Sequence, residues 1–228
     1  PTLLGYARVR DILNRNGFDY IVLDEAAFAH DLQLEQALSM LERLLALGRE
    51  KQLSFGVKLT NTLGTHNHKK RLPGEEMYMS GRALYPLSIN VAALLSRHFK
   101  GQLPISYSGG ASQYNIADIY ATGIQPITMA TDLLKPGGYL RLAACARLLN
   151  AHAPRTIDVD KLNALADAAL EADWAQKGWK GKEEIDVGEA LPLTDCYVAP
   201  CVTACAIKQD IPEYLRLAGE GRYEEALA

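Results

Sequence analysis

The chain has 228 residues, 48% of them hydrophobic and 22% charged, enough for one buried core or two small ones. Its formal net charge of −3 gives no electrostatic basis for binding nucleic acid and no polybasic patch for a membrane surface. No apolar run reaches the roughly 18 residues of a membrane span, no secretory leader is read, and four cysteines are too few for a disulfide scaffold, so a reducing cytoplasm is expected.

Taken in chain order, residues 1–150 alternate between helical and extended patterns. In "GYARVRDILNRNG", Val9, Ile12 and Leu13 fall at helical spacing and Gly17 supplies a stop. "FDYIVLD" (18–24) reads as a short apolar strand, with its core at 19–23. Residues 32–50 carry Leu34, Leu38, Leu41 and Leu45 on one helical stripe. A strand over 53–60 precedes a polar loop that runs to about residue 80. Pro86 suits the first turn of the helix through "LSINVAALLSRHF". The strand 103–108 ends in Gly109-Gly110, Ser112 is placed to cap the next helix, and Gly123 closes it. A strand over 125–131 leads to the helix "YLRLAACARLL", where Cys145 sits on an apolar face as core.

Four strands alternating with helices predict a parallel α/β sheet with the strands adjacent in chain order. That is about half of a (β/α)₈ barrel, with a flavodoxin-like open sheet as the rival. Residues 151–190 read as a helical and then Gly- and charge-rich linker, and residues 191–228 as an all-α module. The chain opens on Pro1 and stops at "RYEEALA" within an amphipathic pattern, and is expected to be a fragment of something longer.

Within 195–214, "DCYVAPCVTACAIKQDIPEY", three cysteines stand in a C-x4-C-x3-C spacing just before a helix that Pro212 opens. Three readings stay open. Iron–sulfur clusters take thiolates from short loops that lead into helices, often beside proline, and Pro200 suits this. Zinc prefers C-x2-C pairs with four ligands, and no second pair or histidine is nearby. Small buried residues in a tight turn are the plain alternative.

This last segment resembles the N-terminal iron–sulfur module of dihydropyrimidine dehydrogenase and of the glutamate synthase small subunit. There a C-x2-C-x4-C-x3-C-P run precedes "IPxY" and "GxYxEA" helices. "VKLTNT", "LPGEEMYMSGR" and "YSGGA" extend the resemblance over the whole chain, to the flavoprotein iron–sulfur subunit of the proposed selenate reductase. That family carries a dihydroorotate-dehydrogenase-like barrel ahead of the module. The resemblance implies that Cys196, Cys201 and Cys205 ligate 4Fe-4S clusters, Cys205 serving a different cluster from the other two. Leu193 stands where the family has its first cysteine, and Ala206 replaces the closing proline. The remaining ligands come from outside this chain.

The resemblance also implies that residues 1–150 are the C-terminal half of a barrel that binds FMN at the C-terminal ends of its strands. Lys58 stands where the family has a lysine reaching the flavin ring, and a strand-end lysine snorkelling to solvent is the plainer alternative. The loops of Ser108, Gly109 and Gly110 and of Ala130 and Thr131 would hold the phosphate through backbone N–H groups, aided by the following helix. Gly81 in "MSGR" would approach the same phosphate, and Asn61 with Thr62 the ring. His66 and His68 read as a solvated loop, Glu75 and Glu76 point apart, and no catalytic base is identified.

The function implied is electron transfer between a nicotinamide-reduced flavin and a molybdenum-hydroxylase-like partner subunit, with FAD and NADPH held in the missing C-terminal portion. The alternative is a non-catalytic, degenerate barrel that docks the iron–sulfur module.

Overall fold

The structure, a computed structural model, describes residues 1–70, 73–135, 137–149, 154, 156–179, 206 and 210–227. The chain divides into two compact units, Pro1–Asp186 and Val187–Ala228. Among the described residues no helix is long and apolar enough to cross a membrane.

The first unit begins with α1 (Tyr6–Arg15), whose apolar face buries Val9, Ile12 and Leu13. Next come α2 (Glu25–His30) and α3 (Leu34–Glu50). Helix α2 was not expected from the sequence. Asp24 caps it, its Oδ1 accepting from the amides of Ala26 (3.0 Å) and Ala27 (3.3 Å).

A three-stranded parallel sheet follows the order β1 (Val57–Leu59), β4 (Ile105–Ser108), β5 (Ile127–Thr128). Lys58 pairs with Ser106, and Ser108 with Thr128. Three of the four expected strands are therefore present, parallel and in the expected order. The fourth, at 19–23, is a turn and an extended segment outside the ladder. Its Val22 carbonyl accepts from the His66 amide at 2.9 Å, so its hydrogen bonding is directed away from β1.

The expected loop up to residue 80 contains an antiparallel hairpin, β2 (Leu63–His66) with β3 (Glu76–Met79). Its alternation is visible in Leu63 and Thr65 buried against Gly64 and His66 exposed.

Helix α4 (Tyr85–His98) forms the centre of the unit, with Pro86 in its first turn as the sequence indicates. It is apolar nearly all round, and Leu87, Ile89, Val91, Ala92 and Leu95 are almost wholly buried. Its principal cluster also takes Leu59, Ile105 and Tyr107 from one sheet face, and Ile119 from α5 (Ile116–Ala121). Alternation then puts Lys58, Ser106, Ser108 and Thr128 on the other face, which in a barrel is the interior.

Ser112 does not cap α5. The N-cap is Asn115, and the Ser112 hydroxyl instead accepts from the Tyr114 amide at 3.3 Å. Helix α6 (Tyr139–Arg147) buries Cys145, as expected.

The stretch read as a linker over 151–190 is corrected by α7 (Val159–Ala168), which packs on α4 through Leu162 and Ala166. Asn90 on α4 donates to the Ala166 carbonyl at 3.1 Å, and Arg97 to Asn163 Oδ1 at 2.7 Å. Gly123 makes this seam possible: its φ is +93°, and a Cβ there would meet the Thr156 carbonyl at 2.5 Å.

The described part of the second unit is helical, with α8 (Ile211–Gly219) and α9 (Tyr223–Ala226). Asp210 caps α8 by accepting from the Glu213 amide at 3.2 Å, and Pro212 lies in its first turn. Cys196, Cys201 and Cys205 lie outside the described residues.

Candidate functional site

Parallel α/β sheets present their sites at the C-terminal ends of the strands, where loops diverge and backbone amides are free of the ladder. At that rim the first unit has a cavity of about 140 Å³ whose lining includes Gly81, Ser108, Gly109, Gly110, Ala130 and Thr131. Six of the eight cofactor residues expected from the sequence therefore converge. Lys58 and Asn61 do not line this cavity. They line a neighbouring one, which shares Thr60 and Thr62 with the first. Lys58 is exposed, on the interior-type sheet face.

Three glycines make the floor of the rim cavity, and each is needed for space as well as for conformation. Gly110 has φ +68°, and a Cβ there would lie 2.5 Å from the Gly81 carbonyl oxygen. Gly81 has φ +71°, with the Thr131 Cγ2 methyl 2.9 Å from the place of its missing Cβ. A Cβ on Gly109 would run into the Ser88 hydroxyl. The loops that follow β3, β4 and β5 thus pack closely at the rim, Gly110 against the Gly81 backbone, Gly81 against the Thr131 methyl and Gly109 against the Ser88 hydroxyl.

Side chains behind the floor hold it in place. Tyr107, fully buried, donates from its hydroxyl to the Gly109 carbonyl at 2.8 Å. Burial pushes that phenol well above the usual tyrosine range, so it remains a donor. Asn115, also buried, donates to the Gly110 carbonyl at 3.0 Å and accepts from the Ser112 amide at 2.8 Å. Thr60 and the buried Ser88 share a hydroxyl hydrogen bond of 2.6 Å. Among the described residues, the amides of Gly110 and Ala111 have no protein acceptor. These inward carbonyl bonds leave the floor with free N–H donors, the arrangement of an anion-binding nest.

Beside the floor, the Asp132 carboxylate is buried with Lys135 Nζ at 3.1 Å and Arg141 Nη1 at 3.5 Å from its Oδ1.

The outer wall comes from a segment that the sequence did not mark as functional. Both tryptophans of the chain, Trp174 and Trp179, line the cavity together with Tyr114. Tyr114 stacks on Trp174 (centroids 5.8 Å, 19°) and meets Trp179 edge-on at 5.3 Å. Arg82, next to Gly81, holds the segment: its guanidinium donates to the Lys177 carbonyl at 3.2 Å and lies 5.8 Å from the Trp179 ring centre. Two tryptophans five residues apart in "DWAQKGW" were the available signal, but nothing local says where they pack.

His66 and His68 are exposed on and just after β2, and Glu75 and Glu76 are exposed nearby. Among the described residues, no group of three or more His, Cys, Asp and Glu is placed to hold a metal ion.

A protein family described as "Oxidoreductase YgfK, N-terminal TIM-barrel domain" matches residues 1–177. Two provisionally named oxidoreductases YgfK, from Escherichia coli K12 and from Escherichia coli O157:H7, are each 70% identical over 230 aligned residues, covering 100% of this chain. The chain spans 22% of the length of these relatives. No solved structure matches the chain significantly. The parallel βα units agree with that family description, and the chain belongs to the YgfK oxidoreductase family, of which it carries the N-terminal TIM-barrel domain match.

Proposed function

We propose that the first unit binds the phosphate end of a flavin nucleotide, FMN in the simplest case, as part of a flavin and iron–sulfur oxidoreductase. One observation carries the reading: Gly81, Gly109 and Gly110 meet at the C-terminal rim with no room for any Cβ, over free backbone donors. A phosphate offers several acceptor oxygens to such a floor, and a carbon side chain offers none. The cavity of about 140 Å³ suits that end alone. The flavin ring would lie along the open sheet face toward Ser106 and Lys58, where a cation favours negative charge on reduced flavin. When bound, the flavin supplies one- and two-electron redox chemistry. The residues of this chain bind, orient and wall it.

The finer reading follows the family resemblance. The first unit would be the C-terminal half of a barrel. Cys196 and Cys201 would ligate one 4Fe-4S cluster and Cys205 another, with further ligands from the remaining length of the longer proteins. Electrons would pass between a nicotinamide-reduced flavin and a molybdenum-hydroxylase-like partner, with selenate as the proposed acceptor. The separation of Lys58 and Asn61 from the glycine cavity favours a second reading, a barrel kept as scaffold.

Titration with FMN and with riboflavin separates them. A phosphate site binds FMN at least about tenfold more tightly than riboflavin, the worth of one charge-assisted contact. Equal and weak binding of the two supports the scaffold.

A further inference from the structure

Helix α3 carries apolar residues on two sides, and the core accounts for only one of them. Leu38, Leu41 and Leu45 pack against the principal cluster. Met40, Leu44 and Leu47 are exposed on another side, Leu47 with 49% of its surface accessible. Leu53, 69% accessible, follows just past the helix end. Its amide donates to the Gly48 carbonyl at 2.8 Å, which closes the last turn and fixes the residue there. Met40, Arg43, Leu44, Ala46, Leu47 and Glu50 line a groove of about 550 Å³ along this face. An outer helix face in water is normally polar, so such a stripe marks a contact surface.

Charge singles out the occupant. Arg43 and Glu50 stand two turns apart on one flank of the stripe, and Met40 and Leu47 stand two turns apart along its centre. Arg43 is exposed, and among the described residues no acid pairs with it. Glu50 meets its neighbour Lys51 at 2.7 Å, an exposed pair that contributes little. A base and an acid placed in this way are complementary to the same face turned end for end. With two copies of α3 antiparallel about a twofold axis beside Leu47, that leucine packs on its own copy. Arg43 of each copy then comes level with Glu50 of the other, and Met40 with Leu53.

We infer that this face binds a second copy of the chain, through an antiparallel, twofold pair of α3 helices. The helix has 17 residues and is about 25 Å long. A pair of that length buries less than the roughly 800 Å² per partner of a tight complex, so the dimer forms in the micromolar range. The inference does not depend on the phosphate reading of the glycine floor.

Sedimentation velocity over about a hundredfold range of concentration would be run on the 228-residue chain. It would be repeated on a full-length relative carrying this chain in place of its matching residues. Both are expected to show a reversible monomer–dimer equilibrium. Leu47→Lys sets two ammonium groups at the axis and should leave only monomer. Arg43→Glu turns two attractions into two repulsions and should weaken the dimer at least about tenfold, as should Glu50→Arg. The double variant Arg43→Glu, Glu50→Arg exchanges the charges and should return the affinity to within about threefold of the original. These side chains are exposed, so thermal melting followed by circular dichroism should be unchanged, which separates loss of the pair from loss of the fold. Monomer at every concentration, a dimer indifferent to these changes, or a charge exchange that restores nothing would overturn the inference. A dimer of the 228-residue chain beside a monomeric full-length protein would overturn it as well, and assign the face to the remaining length of that protein.

Discussion

At the residue scale, the glycine floor depends on atoms that are absent. Gly110→Ala places a methyl 2.5 Å from the Gly81 carbonyl at a backbone φ of +68°. It should destabilise the first unit by about 1–3 kcal/mol in urea unfolding. Gly64→Ala on β2 is the control: a Cβ there meets nothing within 4 Å, and its cost should stay below about 1 kcal/mol.

Tyr107 is the second residue-level test. Its phenol has a folded pKa raised well above the ordinary value of 10.0, chiefly by burial. The folded state therefore holds the proton more strongly than the unfolded one. The associated stability is complete below pH 10 and is lost as pH rises beyond the ordinary tyrosine value. Tyr107→Phe should flatten that alkaline decline. At neutral pH it should cost about 1 kcal/mol, from the bond lost to the Gly109 carbonyl. A decline of unchanged slope would show that Tyr107 does not titrate on unfolding.

At the element scale, α7 decides whether residues 156–179 belong to the first unit. Leu162 is fully buried against α4. Leu162→Ala should therefore cost about 2–5 kcal/mol by thermal or urea unfolding, whereas in a solvated linker it would cost almost nothing. The helical periodicity of this stretch was legible, but its docking was not. Amphipathicity reports that a face is buried and says nothing of the surface that buries it.

The same limit explains the two strand errors. "FDYIVLD" has an apolar run suited to a strand, yet Ile21 packs beside α1 and the Val22 carbonyl goes to the hairpin. The hairpin alternates over only four residues a side and has no two-residue Gly turn to announce it. In contrast, β1, β4 and β5 were legible in type and order because each is followed by small or conformationally special residues at the rim. Gly109 and Gly110 mark a local backbone requirement, which sequence displays directly. The tryptophan wall and Arg82 are tertiary, brought to the site from a distant part of the chain, and sequence alone gives no register for them.

At the scale of the whole molecule, the sheet has a covered face and an open one. Leu59, Ile105 and Tyr107 are packed under the helices, while Lys58, Ser106, Ser108 and Thr128 occupy the other face. The glycine floor closes the C-terminal end of that open face, and this juxtaposition supports a nucleotide with its phosphate at the rim and its ring along the strands. The cysteine segment belongs to the second unit. Its proposed cluster role is tested in the longer protein by electron paramagnetic resonance of the reduced form. Cys196→Ser and Cys201→Ser should remove one signal and Cys205→Ser another, and full signal in the triple variant would contradict ligation.

The most direct test of the phosphate floor is an amide spectrum of the chain labelled with ¹⁵N-glycine and titrated with FMN. The resonances of Gly81, Gly109 and Gly110 should shift together and saturate at one equivalent, while Gly74 and Gly221, which line neither cavity and have nothing within 4 Å of the place of a Cβ, stay in place. Saturable FMN binding that leaves those three amides unmoved, or shifts only glycines elsewhere, would contradict the account.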